Sequence, residues 1–294
     1  MGKVRWQVKQ LLFANIRVLR DPHGAPRKVL RNLRFKIDGV GLWVLRKLAV
    51  VLLPFRAKPV TLMPYAEFEG DGFATQHHVE FLHDTKFTSA FELAFEGVPK
   101  WMDSKTNRKI IWRAHICVWG ANHALNLKGD FVELGVRYGL LPKTVCGIFR
   151  DDPRFLARQY FLVDTWGLAS GSHPNPDYHA DIYSDVQKRF ADYPNVTLVR
   201  GAVPDILPKV TGTSAGLPDL NSRIAFLTID MNGHLAERAS LEYYYDKLVP
   251  GAFVYLDDYG WGYQGLAETV NEFLRDKPET LLHFPSGQSI FLKK

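Results

Sequence analysis

Cysteine is scarce, with two in 294 residues. Cys117 and Cys146 form no CxxC pair and have no metal-type spacing, which excludes a disulfide framework and a zinc knuckle. The expected compartment is reducing and intracellular, read as cytoplasmic. A compact apolar stretch ending in small residues is missing from the amino terminus, so no cleavable signal is expected. Internal repeats and low-complexity tracts are also missing. The run GVGLWVLRKLAVVLLPF, residues 39–55, is interrupted by Arg46 and Lys47. It falls short of the ~20 apolar residues that span a bilayer.

What is present begins with an uneven charge. The net charge is +6 and the pI about 9.2. Residues 1–58 hold 14 Lys and Arg against only Asp21 and Asp38, whereas the remainder carries 23 basic and 29 acidic side chains. The basic character therefore belongs to one segment, a helical extension over residues 1–63. Within it Val4, Val8, Leu11, Leu12, Ile16 and Leu19 fall at helical spacing, with Lys3, Arg5, Lys9, Arg17 and Arg20 elsewhere around the helix. Two readings fit: an interfacial anchor on an anionic membrane surface, peripheral on its inner face, or helices that pack on the rest of the chain or across a homodimer. Few stacking aromatics interleave the basic residues, so nucleic acid is not expected as a partner.

Residues 64–126 read as mostly helical. Leu93 to Gly97, Trp101, Ile110, Trp112, Ile116 and Trp119 suit either a cap over a pocket or ordinary core aromatics. From 127 to 294 short β-rich runs alternate with segments long enough for helices: DFVELGV, QYFLVDTW, VTLVRGA, RIAFLTID, GAFVYLDDYG and a closing SIFLKK. This alternation predicts an α/β fold, a doubly wound, mostly parallel Rossmann-like sheet with right-handed crossovers. Ligands of such sheets bind beyond the carboxyl ends of the strands. Glu133, Asp164, Asp230, Asp257 and Asp258 each end an apolar run.

Gly135 and Gly139 leave backbone open to close approach, beside the hydrogen-bond acceptor Glu133. Their spacing is GxxxG and not the GxGxxG of dinucleotide folds, so a nicotinamide-dependent oxidoreductase is disfavoured. Asp164 can take two ribose hydroxyls. A nucleoside without a diphosphate, such as S-adenosylmethionine, suits these residues, although a simple turn explains the glycine pair equally well.

Read in order, GDFVELGVRYG, YFLVDTW, NVTLVRGAVPDILP, FLTIDMNGH and LVPGAFVYLDDYG resemble the class I S-adenosylmethionine-dependent methyltransferases of the macrocin O-methyltransferase type, which methylate sugar hydroxyls. The resemblance covers roughly residues 127–294 and extends more loosely from about residue 72. It implies that Glu133, Gly135 and Gly139 line the methionine side of the cofactor, that Asp164 takes the ribose, and that Gly201 lies near the adenine. It also implies a divalent metal on Asp230, Asp257 and Asp258. Three carboxylates at adjacent strand ends make an oxygen-only set suited to Mg²⁺ rather than zinc. A turn at DDYG and a helix cap at Asp230 are the alternatives.

Where the family pattern has DxDxY, this chain reads Asp230, Met231, Asn232, Gly233, His234. Asn232 cannot take a proton but can orient a hydroxyl or complete a metal shell. His234 is the substitute base by chemistry, or a structural hydrogen-bonder. The DMN form resembles a sub-branch linked to polysaccharide and lipopolysaccharide biosynthesis, as do His77 and His78 in GFATQHHVEF and SGQS at 286–289, which suit pocket lining or turns. Trp166 to Asp177 can form a closing loop or a plain connection, and Trp261 or Tyr263 can offer a ring to a sugar or pack in the core. The expected function is a Mg²⁺-assisted O-methyltransferase acting on a sugar hydroxyl of a glycan, a glycolipid or a glycosylated metabolite. The competing class is an inactive protein of the same fold that binds or scaffolds.

Overall fold

The computed structural model describes residues 66–105, 107–167, 182–210, 223–262 and 265–294. The chain divides into two units, Met1–Leu62 and Met63–Lys294. The basic extension, most of the Gly/Ser/Pro-rich loop and Tyr263 lie outside the described residues. Everything below concerns the second unit.

A short antiparallel hairpin comes first, β1 (Phe68–Gly70) and β2 (Phe73–Thr75). A 3-10 turn at Glu80–Leu82 leads into α1 (Thr85–Leu93). Asp84 caps α1, its side chain accepting the Lys86 and Phe87 amides at 2.9 and 3.1 Å, the usual way to satisfy free amides at a helix start. The longer α2 (Ile111–Ala124) follows. Trp112 joins Phe68, Phe73 and Phe81 in one aromatic cluster, while Trp101 and Trp119 are 48% and 50% exposed. The helices of this region are α1, α2 and short 3-10 turns at Glu80–Leu82 and Asn107–Ile110; the three-residue strands of the hairpin carry too little periodicity to be read in advance.

The remaining elements alternate as the pattern requires: β3 (Asp130–Leu134), α3 (Leu140–Phe149), α4 (Pro153–Leu156), β4 (Tyr160–Asp164), α5 (Ile182–Phe190), β5 (Val196–Arg200), α6 (Leu207–Val210), β6 (Ile224–Ile229), α7 (His234–Tyr244), β7 (Leu248–Leu256), α8 (Leu266–Leu274), β8 (Leu282–His283) and β9 (Ser289–Leu292). They form a seven-stranded sheet of order β5-β4-β3-β6-β7-β9-β8. β3 to β7 run parallel, and β9 is antiparallel to both β7 and β8. The doubly wound expectation is met, with the order reversing between β3 and β6.

Strands covered on both faces read as continuous apolar runs, and every residue of IAFLTI in β6 is buried. Alternate residues divide between two cores. Phe131, Phe226, Phe253 and Tyr255 face α1, α2 and α3; Val132, Leu227, Val254 and Leu256 face α7 and α8. On the first face the rings of Phe131, Phe226 and Phe253 line up across three strands at 4.9 and 5.6 Å. Gly120 of α2 makes room there, because a Cβ would sit 2.3 Å from the Phe253 ring. Cys117 and Cys146 are buried free thiols in this layer.

One buried cation holds the frame of the site. Arg189, at the end of α5, donates to the carbonyls of Ala94 at 2.6 Å, Tyr138 at 2.9 Å and Glu96. It thus ties the end of α1 to the turn after β3, and burial lowers its pKa to about 10. Removing the donor leaves buried carbonyls unsatisfied, at roughly 1–3 kcal/mol for each such group. Arg189→Met is therefore expected to lose about 3 kcal/mol in urea denaturation, and a loss below ~1 kcal/mol would show that water replaces the guanidinium.

Candidate active site

The carboxyl ends of β3, β4, β5, β6 and β7 border a cavity of about 810 Å³. Its lining includes Gly135, Asp164, Gly201, Asp230, Asn232, Asp257 and Asp258, all named from the sequence, together with Arg113, Arg137, Met231 and Trp261. Glu133 lines a smaller space of about 170 Å³ with Met102, Arg113 and Leu141. Gly139 and His234 line neither.

The turn after β3 is built by contacts within the protein. Gly135 has φ +84°, and a Cβ there would lie 1.8 Å from the Asp230 carbonyl oxygen. Only glycine lets this backbone rest against the end of β6. Gly139, at φ +71°, starts α3 where a Cβ would meet the Phe190 ring at 2.7 Å. The crowding these glycines relieve comes first from the protein's own atoms. Asp164 closes the turn: one oxygen accepts the amides of Val136 and Arg137, both at 2.8 Å, and the other accepts the Trp166 amide at 2.9 Å. A carboxylate has about four acceptor positions, so Asp164 shapes the turn while lining the cavity.

Glu133 shares the face of Phe131 by strand alternation, under α2 and α3. Its carboxyl is 4% exposed and accepts from the Tyr160 hydroxyl at 2.7 Å. Burial raises its pKa to about 8, against the opposing Tyr160 hydrogen bond.

Asp230, Asp257 and Asp258 converge, each offering an oxygen within 4.8 Å of the others. Their environments differ by strand parity. Asp257 continues the Phe253–Tyr255 face beneath α2, where Tyr255 donates to Oδ1 at 2.6 Å and Arg113 donates to Oδ2. Asp258 turns toward α7 and accepts the Asn232 amide at 2.7 Å. Asn232 has φ +53°, a left-handed conformation that Asn tolerates better than most residues, and its side-chain amide donates to Asp230 at 3.3 Å. It bridges two acids. Gly233, not Asp230, stands at the cap of α7.

Burial, and then Asp257, raise the pKa of Asp258 to about 6 and that of Asp230 well above the ordinary carboxylate range. Asp257 is raised by burial and held back by Arg113. Carboxyls that resist ionisation because they are buried and face one another are relieved by a cation, and an oxygen-only set fits a hard divalent ion such as Mg²⁺. The residues present fit that ion.

Arg113 is the participant that sequence reading missed. It also makes two 2.7 Å bonds to Asp71 at the hairpin turn, and its guanidinium lies 4.8 Å from the centroid of the Trp261 ring. A lone arginine in the apolar start of α2, IIWRAHI, was the available signal. His234 opens α7 on the exposed surface, near Gly265. SGQS forms a buried turn whose Gly287 carbonyl accepts the Gly260 amide at 2.6 Å, backing the loop of Asp258 and Trp261. His77 and His78 are exposed and line neither cavity.

Scanning protein-family models and searching curated proteins return no match. Solved structures do match. The O-methyltransferase NovP aligns with TM-score 0.51 at 21% identity, covering 69% of this chain and 88% of its own. CalS11, a TDP-rhamnose 3′-O-methyltransferase of calicheamicin biosynthesis, aligns with TM-score 0.51 at 16% identity, covering 74% of this chain and 96% of its own. This chain has the Rossmann-like methyltransferase fold. At such identities the likeness is one of fold.

The Glu133 pKa has a pH consequence whose sign is fixed. Between the ordinary value of 4.5 and about 8 the folded state holds a proton that the unfolded chain has released, so this group's contribution to stability falls as pH rises through that window. Glu133→Gln, neutral throughout, is expected to lose less stability than the parent between pH 5 and pH 8 in denaturant titrations. Equal losses would mean that the carboxyl is already ionised in the fold.

Proposed function

We propose that the chain is an S-adenosylmethionine-dependent, divalent-metal-assisted O-methyltransferase acting on a sugar hydroxyl. The observation that carries this reading is the meeting of Asp230, Asp257 and Asp258 at the rim of the cavity that Gly135, Asp164 and Gly201 also line. The fold shared with two O-methyltransferases, one of them acting on a nucleotide sugar, supports it.

When bound, the sulfonium supplies an electrophilic methyl group and the divalent ion supplies charge that orients a hydroxyl and lowers its pKa. Asp230, Asp257 and Asp258 would hold that ion, with Tyr255 and Arg113 fixing the orientation of Asp257. Asn232 bonds both Asp230 and Asp258, through its side-chain and backbone amides respectively. Asp164 and Gly201 would hold the nucleoside, and Gly135 would leave room for the methionine portion, since all three line the cavity. Trp261, 43% exposed and with Arg113 over its ring, would offer its exposed part to a sugar. The candidate acceptors are a glycan, a lipid-linked or lipopolysaccharide sugar, or a glycosylated metabolite. Residues 1–58 would bring the protein to an anionic membrane surface that carries such an acceptor. No helix among the described residues is long and apolar enough to cross a membrane.

A second reading, a non-catalytic binding protein of this fold, is favoured by Asn232 where the related pattern has an acid. Methyl transfer to a panel of sugar acceptors separates the two. Turnover is expected with Mg²⁺ and not with chelator, and Asp258→Asn is expected to lower it by about 10²-fold or more, in the range for loss of an electrostatic catalytic group. Tight cofactor binding without turnover on any acceptor would favour the scaffold. His234→Ala is expected to stay within ~10-fold of the parent, because a general base contributes about 10²–10⁴ and His234 stands outside the cavity. A larger drop would restore it as the base. Deleting residues 1–58 is expected to abolish sedimentation with anionic vesicles, and unchanged partitioning would reject the anchor.

A further inference from the structure

A second group of metal-type ligands lies away from the carboxylate cluster, at the base of the hairpin. Glu67 precedes β1, and its amide donates to the Thr75 carbonyl at 2.8 Å, fixing it opposite the end of β2. His78 follows β2, and His83 closes the 3-10 turn with its amide on the Glu80 carbonyl at 2.9 Å. Between them Phe81 is buried, its ring stacked 4.0 Å from that of His115 on α2. Glu67 and His83 therefore project from anchored backbone, and His78 lies between β2 and the 3-10 turn.

Their functional atoms converge on one oxygen. Glu67 Oε1 lies 2.9 Å from His83 Nε2 and 3.9 Å from His78 Nδ1, and one ligand atom from each residue falls within 4.8 Å of the others. The imidazoles stack with centroids 5.1 Å apart and planes 9° from parallel. The other nitrogen of His78, Nε2, lies 2.7 Å from Glu80 Oε2. A carboxylate only accepts, so this contact puts a proton on His78 Nε2 and leaves Nδ1 on the side of Glu67, while the 2.9 Å contact to Glu67 puts a proton on His83 Nε2 that a bound metal would displace. A ligating histidine usually has this arrangement, with one nitrogen free for the metal and the other donating to an outer carboxylate.

We propose that Glu67, His78 and His83 bind a borderline divalent transition metal, with zinc as the representative ion and water in the remaining position. Two imidazoles and one carboxylate suit zinc, nickel or copper and not Mg²⁺. Around a tetrahedral ion, ligand atoms stand about 3.3 Å apart at bonds of roughly 2.0–2.2 Å. The side chains are 33%, 65% and 56% exposed for Glu67, His78 and His83, so they have room to rotate inward, and solvent has access to the open position. The ion would join the start of β1 to the 3-10 turn and close the base of the hairpin whose turn carries Asp71.

The test uses the full chain without a histidine tag, titrated with zinc by calorimetry in excess Mg²⁺ so that oxygen-only sites are filled. The parent is expected to take up one zinc ion more than the His78→Ala, His83→Ala double variant, with circular dichroism verifying that the variant is folded. Glu80→Gln is expected to weaken binding by about 10-fold, as loss of an outer-shell partner does. Asp258→Asn is expected to leave zinc uptake unchanged. Zinc should raise the melting temperature of the parent and not that of the double variant. Equal zinc stoichiometry and affinity in parent and double variant would overturn the proposal, as would loss of zinc binding in Asp258→Asn, which would assign the ion to the carboxylate cluster.

Discussion

Like charges brought together at the ends of neighbouring parallel strands repel, and the architecture around Asp230, Asp257 and Asp258 exists to hold them there. Strand alternation sends Asp257 toward α2 and Asp258 toward α7, so each is stabilised from a different side of the sheet. Arg113 and the Tyr255 hydroxyl serve Asp257, while the Asn232 amide serves Asp258. In a site drier than water these contacts do not cancel the mutual repulsion, and the carboxyls remain reluctant to ionise. A cation placed among these carboxyls would relieve that repulsion.

The main chain supplies much of the rest. Gly135 rests against the Asp230 carbonyl and donates its amide to the Val163 carbonyl at 2.9 Å, and the Asp164 carboxylate gathers the amides of the same turn, so the first, second and fourth parallel strands meet at a single place. Arg189 extends the frame outward to α1 through carbonyl acceptors. A cavity edged this way is pre-shaped before any ligand arrives.

The sheet was legible because buried parallel strands are written as apolar runs bounded by turn residues, and β3 to β7 and β9 all coincide with such runs. β1, β2 and β8 are two or three residues long, too short for a period of two to register. The acids at the strand ends could be read for the same reason as the strands. Their partners could not, since Arg113 and Asp257 are separated by 144 residues and no local pattern links them. Gly135 was recognisable as a turn residue, but the carbonyl that demands it belongs to a strand far along the chain. His234 looked close to the acids in sequence, yet the helix that begins with it carries the ring out to the surface.

The two thiols now acquire a use. Cys117 and Cys146 are sealed in the layer between α2, α3 and the sheet, and burial keeps both protonated well above the usual thiol range. The nucleophile in alkylation is the thiolate, so reagent can reach these sulfurs only when that layer opens. The rate at which the native molecule takes up label then reads the population of the opened state, or the opening rate itself when alkylation outpaces reclosing.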